Sequence, residues 1–198
     1  MHATGLSGAS LYSQSGQRKY LTGPERARFI AAAQACPRAE LRTLCLTLAY
    51  TGCRISEALA LTAGSIEAEA GFIAIRSLKK RGVLAVREVP VPANLLNALE
   101  QVHRVSRLYS STRLWPLSRS RAWQLVKSIM DEAGIANGIH ATPKGLRHGF
   151  GLHAVRSGVP LNLVQRWLGH ARMETTAIYL QAIGSEEREI AQRMWAAD

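Results

Sequence analysis

The sequence has few cysteines, few acidic residues and no long apolar run. Its three cysteines, Cys36, Cys45 and Cys53, form no Cys-x-x-Cys pair and leave an odd count. This pattern argues against a disulfide framework and is typical of reduced thiols inside a cell. No apolar run approaches the roughly 20 residues of a membrane span, and the start of the sequence has no signal-peptide core. We therefore expect a cytoplasmic protein that does not act in a membrane.

The shortage of acids leaves a strong positive charge. Fourteen Asp and Glu residues stand against 25 Lys and Arg residues, for a net charge of +11 and a pI near 10.3. Such a charge predicts a polyanionic partner, with nucleic acid the first candidate and an anionic membrane surface the second. An ordinary basic soluble protein is the alternative on charge alone.

The positive charge is concentrated in the C-terminal half. Residues 101–130 carry six Lys or Arg residues and no acid, and residues 133–173 carry five more, again with no acid. A solvated surface of mixed charge is less one-sided than this. Arginine is also well suited to phosphate, because its planar guanidinium can donate to two oxygens at once.

The periodicity predicts a mainly α protein with one small antiparallel sheet, an α+β fold. Residues 1 to about 19 are rich in Gly, Ser and Gln and predict a flexible leader, followed by one domain over residues 20–198. A capping box at Thr22–Glu25 opens a helix to about Cys36, and an apolar stripe in the next helix stops at Gly52. Two partly alternating runs around the tetrapeptide KKRG predict a β-hairpin. Further helices are expected at 56–62, 94–108, 119–133, 143–157, 160–168, 174–182 and 185–195.

Tyr179 follows a Gly-His pair by one short loop in GHARMETTAIYL. A single tyrosine is more often a packing residue than a reactive one. With an ordinary pKa of about 10 it is a poor nucleophile at neutral pH, unless positive charge or a base helps its proton to leave. The basic residues around it are expected to supply that help.

Lys144 and Arg147 lie three residues apart on one predicted helix and so share a face. Lys144 is close to the helix N-terminus, where the helix dipole also favours an anion. A merely solvated basic face is the alternative. His148 is expected to be a packed residue beside this site rather than a reacting group.

Arg54 stands where the helix after Gly52 begins, and an arginine there is unfavourable for the helix dipole. Its position is better explained if it faces a phosphate. Glu57 either orients Arg54 or is an ordinary acid of the first turn. Lys79 and Lys80 stand at the hairpin tip, where charge is common, yet three of the five lysines, these two and Lys144, fall at the predicted site.

Together these elements resemble the catalytic signature of the tyrosine recombinase (phage integrase) family. They are the arginine in TGCRISEALAL, a lysine on a hairpin, KGLRH, LGH and a tyrosine nine residues after that histidine. The resemblance runs from about Leu21 to Tyr179, in the family's order and spacing. It implies the tyrosine recombinase catalytic-domain fold and a nucleoid-associated, site-specific recombinase that cuts and rejoins double-stranded DNA through a 3′-phosphotyrosine.

The resemblance also implies a role for each matching residue. Arg54 and Arg147 correspond to the two phosphate-binding arginines, and Lys79 to the hairpin lysine that protonates the leaving oxygen, with Lys80 the fallback. His170 matches the His/Trp position and Tyr179 the nucleophile. Lys144 occupies a place where the family more often has histidine, and a lysine would need a lowered pKa to act as a base.

The sequence offers no site for a metal or another cofactor. A two-metal nuclease needs clustered carboxylates, whereas residues 142–173 contain none. We therefore expect no metal, no cofactor and no ATP requirement, with activity retained in EDTA. DNA affinity is expected to fall steeply with salt.

Two features leave alternatives open. Only about 20 residues precede Leu21, so a separate N-terminal core-binding domain is not expected, either because the protein is naturally short or because that domain is missing. The predicted 185–195 helix either packs on its own domain or docks on a neighbour in a DNA-bound homo-tetramer. The rival functions are a DNA-binding accessory or regulatory protein of the same fold, and a type IB topoisomerase-like relaxing enzyme.

Overall fold

A computed structural model describes residues 10–78 and 84–180 of the chain. It confirms a mainly helical fold with one small antiparallel sheet of three strands in the order β1-β2-β3. The helices are α1 Gly23–Ala35, α2 Ala39–Thr51, α3 Ile55–Ala58, α4 Ala93–His103, α5 Arg119–Glu132, α6 Pro143–Arg156, α7 Leu161–Leu168 and α8 Glu174–Ala177. The strands are β1 Ile66–Glu67, β2 Phe72–Leu78 and β3 Leu84–Pro90.

The helix boundaries follow the residues that predicted them. Thr22 caps α1 by accepting a hydrogen bond from the backbone N–H of Glu25, whose side chain bonds back to the cap. Thr142 caps α6 by accepting from the backbone N–H of Gly145, with Pro143 in the first turn. Gly52 ends α2 in the left-handed conformation, at a φ of 60° that glycine adopts without strain. These helix ends fix the backbone positions of the predicted site residues next to them, Arg54 after Gly52 and Lys144 after Thr142.

The helix predicted over 94–108 is shorter than expected. Arg104 adopts a left-handed conformation with φ of 53°, which ends α4 at His103, and a 3-10 turn covers Val105–Arg107. The two-residue strand β1 was not predicted, because two residues show no alternation. The predicted helix at 174–182 is also shorter than expected: α8 ends at Ala177 and a turn follows at 178–179. Residues 181–182 and the predicted 185–195 helix lie outside the described residues.

Residues 10–21, which we call the N-terminal segment, differ from the flexible leader predicted for this region. Leu11 is buried, and Tyr12 forms an isolated antiparallel bridge with Arg18. The guanidinium of Arg18 donates to Glu25 on α1 at 2.6 Å. A buried leucine and an ion pair hold this segment on the domain, although its Gly- and Ser-rich composition shows no periodic pattern. Residues 1–9 lie outside the described residues.

The buried apolar side chains form two groups. The larger lies among α1, α2, the sheet, α4 and α5, and includes Phe29, Leu44 and Ile73. The smaller joins the N-terminal segment to α6, α7 and α8 and includes Leu11 and Tyr179. Across the described residues, no helix is both long and apolar enough to cross a membrane.

Gly52 shows how closely the two groups approach each other. A Cβ at this position would lie 2.4 Å from the Phe150 ring, so any side chain would push α2 away from α6. The end of α2 therefore meets α6 directly, and this contact places Arg54 near Arg147.

Candidate active site

Four of the predicted site residues line one open cavity of about 670 Å³: Arg54, Lys144, Arg147 and His170. Five cationic side chains line it, and no carboxylate does so among the described residues. The cations come from the N-terminal segment and from around α3, α5 and α6: Lys19, Arg54, Arg119, Lys144 and Arg147. His148 and His170 also line it. Such a surface favours an anion, because the described lining carries five positive charges and no carboxylate.

Arg54 is held at the start of α3 by Glu57. Its backbone N–H donates to Glu57 Oε2 at 2.8 Å, and its Nη1 donates to Glu57 Oε1 at 2.9 Å. About half of the Arg54 side chain stays exposed, at 48%. Glu57 thus caps the helix as an acid of the first turn and also orients the guanidinium of Arg54, so both predicted roles of this residue apply.

Glu57 also binds Arg87, a buried arginine of β3 for which the sequence predicted no role. Arg87 Nη2 donates to Glu57 Oε2 at 2.7 Å, and Arg87 Nε donates to the carbonyl of Trp167 at 2.6 Å. Burial would raise the pKa of Glu57, but the hydrogen bonds and charges of Arg87 and then Arg54 lower it. Arg87 therefore ties β3 to both α3 and α7. The sequence signal for this role was its position two residues before Val89 in an alternating run, which places both on one face of the strand. The structure pairs Arg87 with Ile75 of β2.

Arg147 is buried and bonds to two backbone carbonyls. Nη1 donates to Gly52 at 2.8 Å and Nη2 donates to Leu168 at 2.6 Å. Both carbonyls lie at helix C-terminal ends, where the helix dipole favours a cation. Burial, and then the nearby Arg54, lower the pKa of Arg147 to about 10, so it remains charged at neutral pH. No carboxylate of the described residues forms an ion pair with it, so its charge is available to an anion in the cavity.

Lys144 lies in the first turn of α6 and lines the cavity with Arg147, as their spacing predicted. The turn is tight, because a Cβ on Gly145 would lie 1.7 Å from the carbonyl oxygen of His140. Glycine at this position therefore allows the chain before α6 to pass close to the first turn of the helix, where Lys144 lines the cavity.

His170 follows Gly169, which ends α7 in the left-handed conformation as predicted. Its Nδ1 lies 2.9 Å from the hydroxyl of Thr176. Burial, and then the charges of Arg147 and Arg54, lower the pKa of His170 to about 3. The ring is therefore neutral at physiological pH and carries a single N–H.

Tyr179 is fully buried, at 0% exposure. Its hydroxyl lies 3.1 Å from Nδ1 of His148, and its ring stacks on His170 with centroids 6.3 Å apart. A Cβ at Gly151 would lie 2.5 Å from the same ring. We call the space bounded by His148, Gly151 and His170 the tyrosine seat.

The prediction that the basic residues help Tyr179 to lose its proton is wrong for this conformation, because the side chain is buried. Arg147 and Arg54 do lower the pKa of Tyr179, but burial outweighs them and raises it to about 12. In this conformation the hydroxyl therefore keeps its proton more firmly than a free tyrosine does. Positive charge near a phenol favours the phenolate, but removal from water disfavours it, and here the second effect is larger.

His148 does more than pack beside the site. It lines the cavity and contacts the Tyr179 hydroxyl, while burial and the charges of Lys144 and Arg147 lower its pKa to about 4. The sequence could not show this contact, because His148 and Tyr179 are 31 residues apart.

Two predicted site residues lie outside the described part of the chain. They are Lys79 and Lys80, which fall between the end of β2 and the start of β3. In contrast, Lys19, Arg119 and the half-exposed Trp123 line the cavity although no motif marked them. Within residues 10–78 and 84–180, no group of three or more His, Cys, Asp or Glu side chains could hold a metal ion.

The description "Phage integrase family" belongs to a family model that matches residues 19–185 of this chain. The chain belongs to the phage integrase family. Among curated relatives, tyrosine recombinase XerD of Neisseria meningitidis is 34% identical over 146 residues, covering 68% of this chain and 48% of the relative. Tyrosine recombinase XerA of Pyrococcus furiosus is 32% identical over 157 residues, covering 77% and 54%. The chain thus spans about half the length of the curated relatives it matches.

Solved structures of the phage integrase family share the fold. The crystal structure of XerA recombinase superposes with a TM-score of 0.72 at 27% identity, over 88% of this chain and 64% of that one. The catalytic domain of bacteriophage HP1 integrase superposes with a TM-score of 0.65 at 21% identity, over 88% and 93%. The fold predicted from the motifs is therefore confirmed as that of this family's catalytic domains.

Proposed function

We propose that this phage integrase family member is a site-specific recombinase that cleaves and rejoins double-stranded DNA. The observation that carries the proposal is the cavity that brings Arg54, Arg147 and His170 together beside Tyr179. Relatives named tyrosine recombinases support it. The structure of XerH bound to its difH substrate has the same fold, with a TM-score of 0.71 at 23% identity.

In the proposed reaction, Tyr179 Oη gives up its proton to water in the open cavity, attacks a DNA phosphorus in line and forms a 3′-phosphotyrosine bond, while the bond from phosphorus to the 5′-oxygen breaks. Arg54, Arg147 and the N–H of His170 donate to the non-bridging oxygens, where negative charge builds up. Donors fixed in advance at such oxygens usually make the largest single contribution to the rate. The hairpin lysine, Lys79 or else Lys80, protonates the departing 5′-oxygen.

Rejoining reverses these steps, with a 5′-hydroxyl attacking the phosphotyrosine. The covalent bond retains the energy of the cleaved link, so ATP is not required. Protein cations take the place of a metal at the phosphate, and Lys144 adds positive charge at the N-terminus of α6, where the backbone also favours an anion. Assembly as a homo-tetramer on DNA belongs to this proposal.

The tyrosine seat adds a conformational step to the proposal. Tyr179 has no exposed surface, so its hydroxyl must leave His148 and turn into the cavity before it can reach a phosphate. Next to a bound phosphate, with Arg147 and Arg54 close by, the phenolate would gain the stabilisation that it lacks in the seat.

The test is a covalent-adduct assay with nicked, suicide-type DNA substrates in EDTA. Wild-type protein should give a protein–DNA adduct that survives denaturation, and Tyr179→Phe should give none while still binding DNA. An adduct that forms only with added Mg²⁺ would contradict the metal-free reaction. If wild type binds DNA but no substrate gives an adduct, the chain binds DNA without strand exchange.

A further inference from the structure

The side-chain partner of His170 is buried and belongs to the segment that carries Tyr179. Thr176 is fully buried in α8, and its Oγ1 lies 2.9 Å from His170 Nδ1. The backbone of His170 is fixed separately by Gln165, whose carbonyl accepts the His170 N–H and whose side chain donates to the His170 carbonyl. The threonine hydroxyl thus bonds to the imidazole ring, and Gln165 bonds to the backbone.

The direction of this hydrogen bond decides which ring nitrogen carries the proton. A neutral imidazole has one N–H donor and one acceptor. Among the described residues, Thr176 Oγ1 has a hydrogen bond with His170 and with no other group. If Nδ1 donated, the hydroxyl hydrogen of a fully buried threonine would have no acceptor, and a buried donor without a partner is unfavourable. If Thr176 donates to Nδ1, both groups are satisfied and the proton lies on Nε2.

The other ring nitrogen, Nε2, can donate that proton to a ligand in the cavity. Nε2 of His170 has no hydrogen-bond partner among the described residues, and it is not one of the buried atoms left without a partner. The side chain lines the cavity with Arg54 and Arg147. A proton on Nε2 would therefore be presented on the side where a phosphate oxygen would bind.

We propose that Thr176 is a positioning residue that donates to His170 Nδ1 and so holds the neutral ring with its proton on Nε2, facing the cavity. This proposal rests on the proposed function, because the N–H matters for catalysis only if His170 donates to a phosphate. It gives a neutral histidine the donor role that a protonated one would otherwise fill. The threonine hydroxyl orients the ring without adding a negative charge to a site that favours an anion.

The first test reads the tautomer directly and needs no DNA. In ¹⁵N–¹H correlation spectra of labelled protein, the wild-type His170 ring should show the Nε2–H tautomer at pH 7. Thr176→Ser should keep that tautomer, because it keeps the hydroxyl, and Thr176→Val should move the ring towards a mixture or to Nδ1–H. A wild-type ring protonated on Nδ1 would overturn the proposal.

The second test reads the chemistry in the same variants. Thr176→Val should lower the rate of covalent adduct formation by about 10- to 100-fold, the range found when the partner that orients a metal-binding histidine is removed, and Thr176→Ser should keep most of the rate. Thr47→Val is the matched control, because Thr47 is equally buried and its hydroxyl has no hydrogen-bond partner in the described part of the chain. It should leave both tautomer and rate unchanged.

The outcomes separate the two proposals. Thr176→Val with wild-type tautomer and rate would overturn the positioning role. If wild type forms no adduct at all, the proposed function fails, while the tautomer spectra still decide whether Thr176 sets the ring. Melting temperatures of all three variants identify any loss of rate that comes from unfolding, and the Thr176→Ser rescue remains decisive if Thr176→Val folds poorly.

Discussion

The hydroxyl of Tyr179 lies 3.1 Å from Nδ1 of His148, in a seat that also stacks the tyrosine ring on His170. The proposed nucleophile is thus in contact with the site but shut off from solvent. Burial raises the pKa of Tyr179 to about 12, so the hydroxyl stays protonated in this conformation. Cleavage would then depend on a small movement that replaces the histidine contact with a phosphate contact.

The closeness of α6 to the Tyr179 ring can be tested with Gly151→Ala. The added Cβ would lie 2.5 Å from the ring, so the ring or the helix must shift. We expect the free energy of unfolding, measured by chemical denaturation, to fall by about 1–3 kcal/mol, as is typical of overpacking. Gly23→Ala is the control, since nothing lies within 4 Å of a Cβ there. Equal stability of the two variants would show that the tyrosine seat is not closed as described.

The two carbonyl contacts of Arg147 predict that lysine cannot replace it. A lysine at this position would keep the charge, but a single ammonium cannot bond to Gly52 and Leu168 and also face the cavity. We expect Arg147→Lys to slow covalent adduct formation by about 10²–10³-fold, the usual cost of one transition-state donor. Arg38→Lys, at an exposed position before α2, should not change the rate. A wild-type rate for Arg147→Lys would remove this arginine from the proposed reaction.

The lowered pKa of His148 predicts that the stability of the protein depends on pH. Its pKa is lowered from 6.5 to about 4 by burial, Lys144 and Arg147, so between these values the unfolded chain binds a proton that the folded chain does not. Its contribution to stability is therefore fully present above pH 6.5 and falls as the pH drops towards 4, by up to about 1.4 kcal/mol per pH unit.

The measurement is the free energy of unfolding at several pH values from 7.5 to 5. His148→Gln removes one titrating group, so the variant should lose less stability over this range than wild type does. The comparison is between slopes, because the substitution also changes the contact with Tyr179. Identical slopes would show that His148 titrates alike in the folded and unfolded chains.

The lowered pKa of Glu25 predicts a second loss of stability, at more acidic pH. Burial would raise its pKa, but Arg18 and Thr22 outweigh burial and lower it from 4.5 to about 2. The stabilisation from this carboxylate is fully present above pH 4.5 and is lost as the pH falls towards 2. Glu25→Gln should therefore lose less stability than wild type between pH 4.5 and 2, as measured by chemical denaturation. Glu69→Gln, in an exposed turn, is the control and should follow wild type.

The sequence by itself determined most of the secondary structure and indicated the residues of the candidate site. Capping residues and left-handed glycines act locally, so Thr22, Gly52, Thr142 and Gly169 predicted helix ends that the structure reproduces. The spacing of Lys144 and Arg147 likewise placed both on one helix face. Such features depend on neighbours within a few residues, which a sequence shows directly.

Only the tertiary structure decided how those residues are held and in what state they rest. Arg87 reaches Glu57 across 30 residues, and Thr176 meets His170 only after α7 ends and the chain turns back. The sign of the Tyr179 pKa shift also needed the fold, because it is the balance of burial against two distant arginines. Composition indicated the charge of the site, but burial and long-range contacts determine which groups carry a proton there.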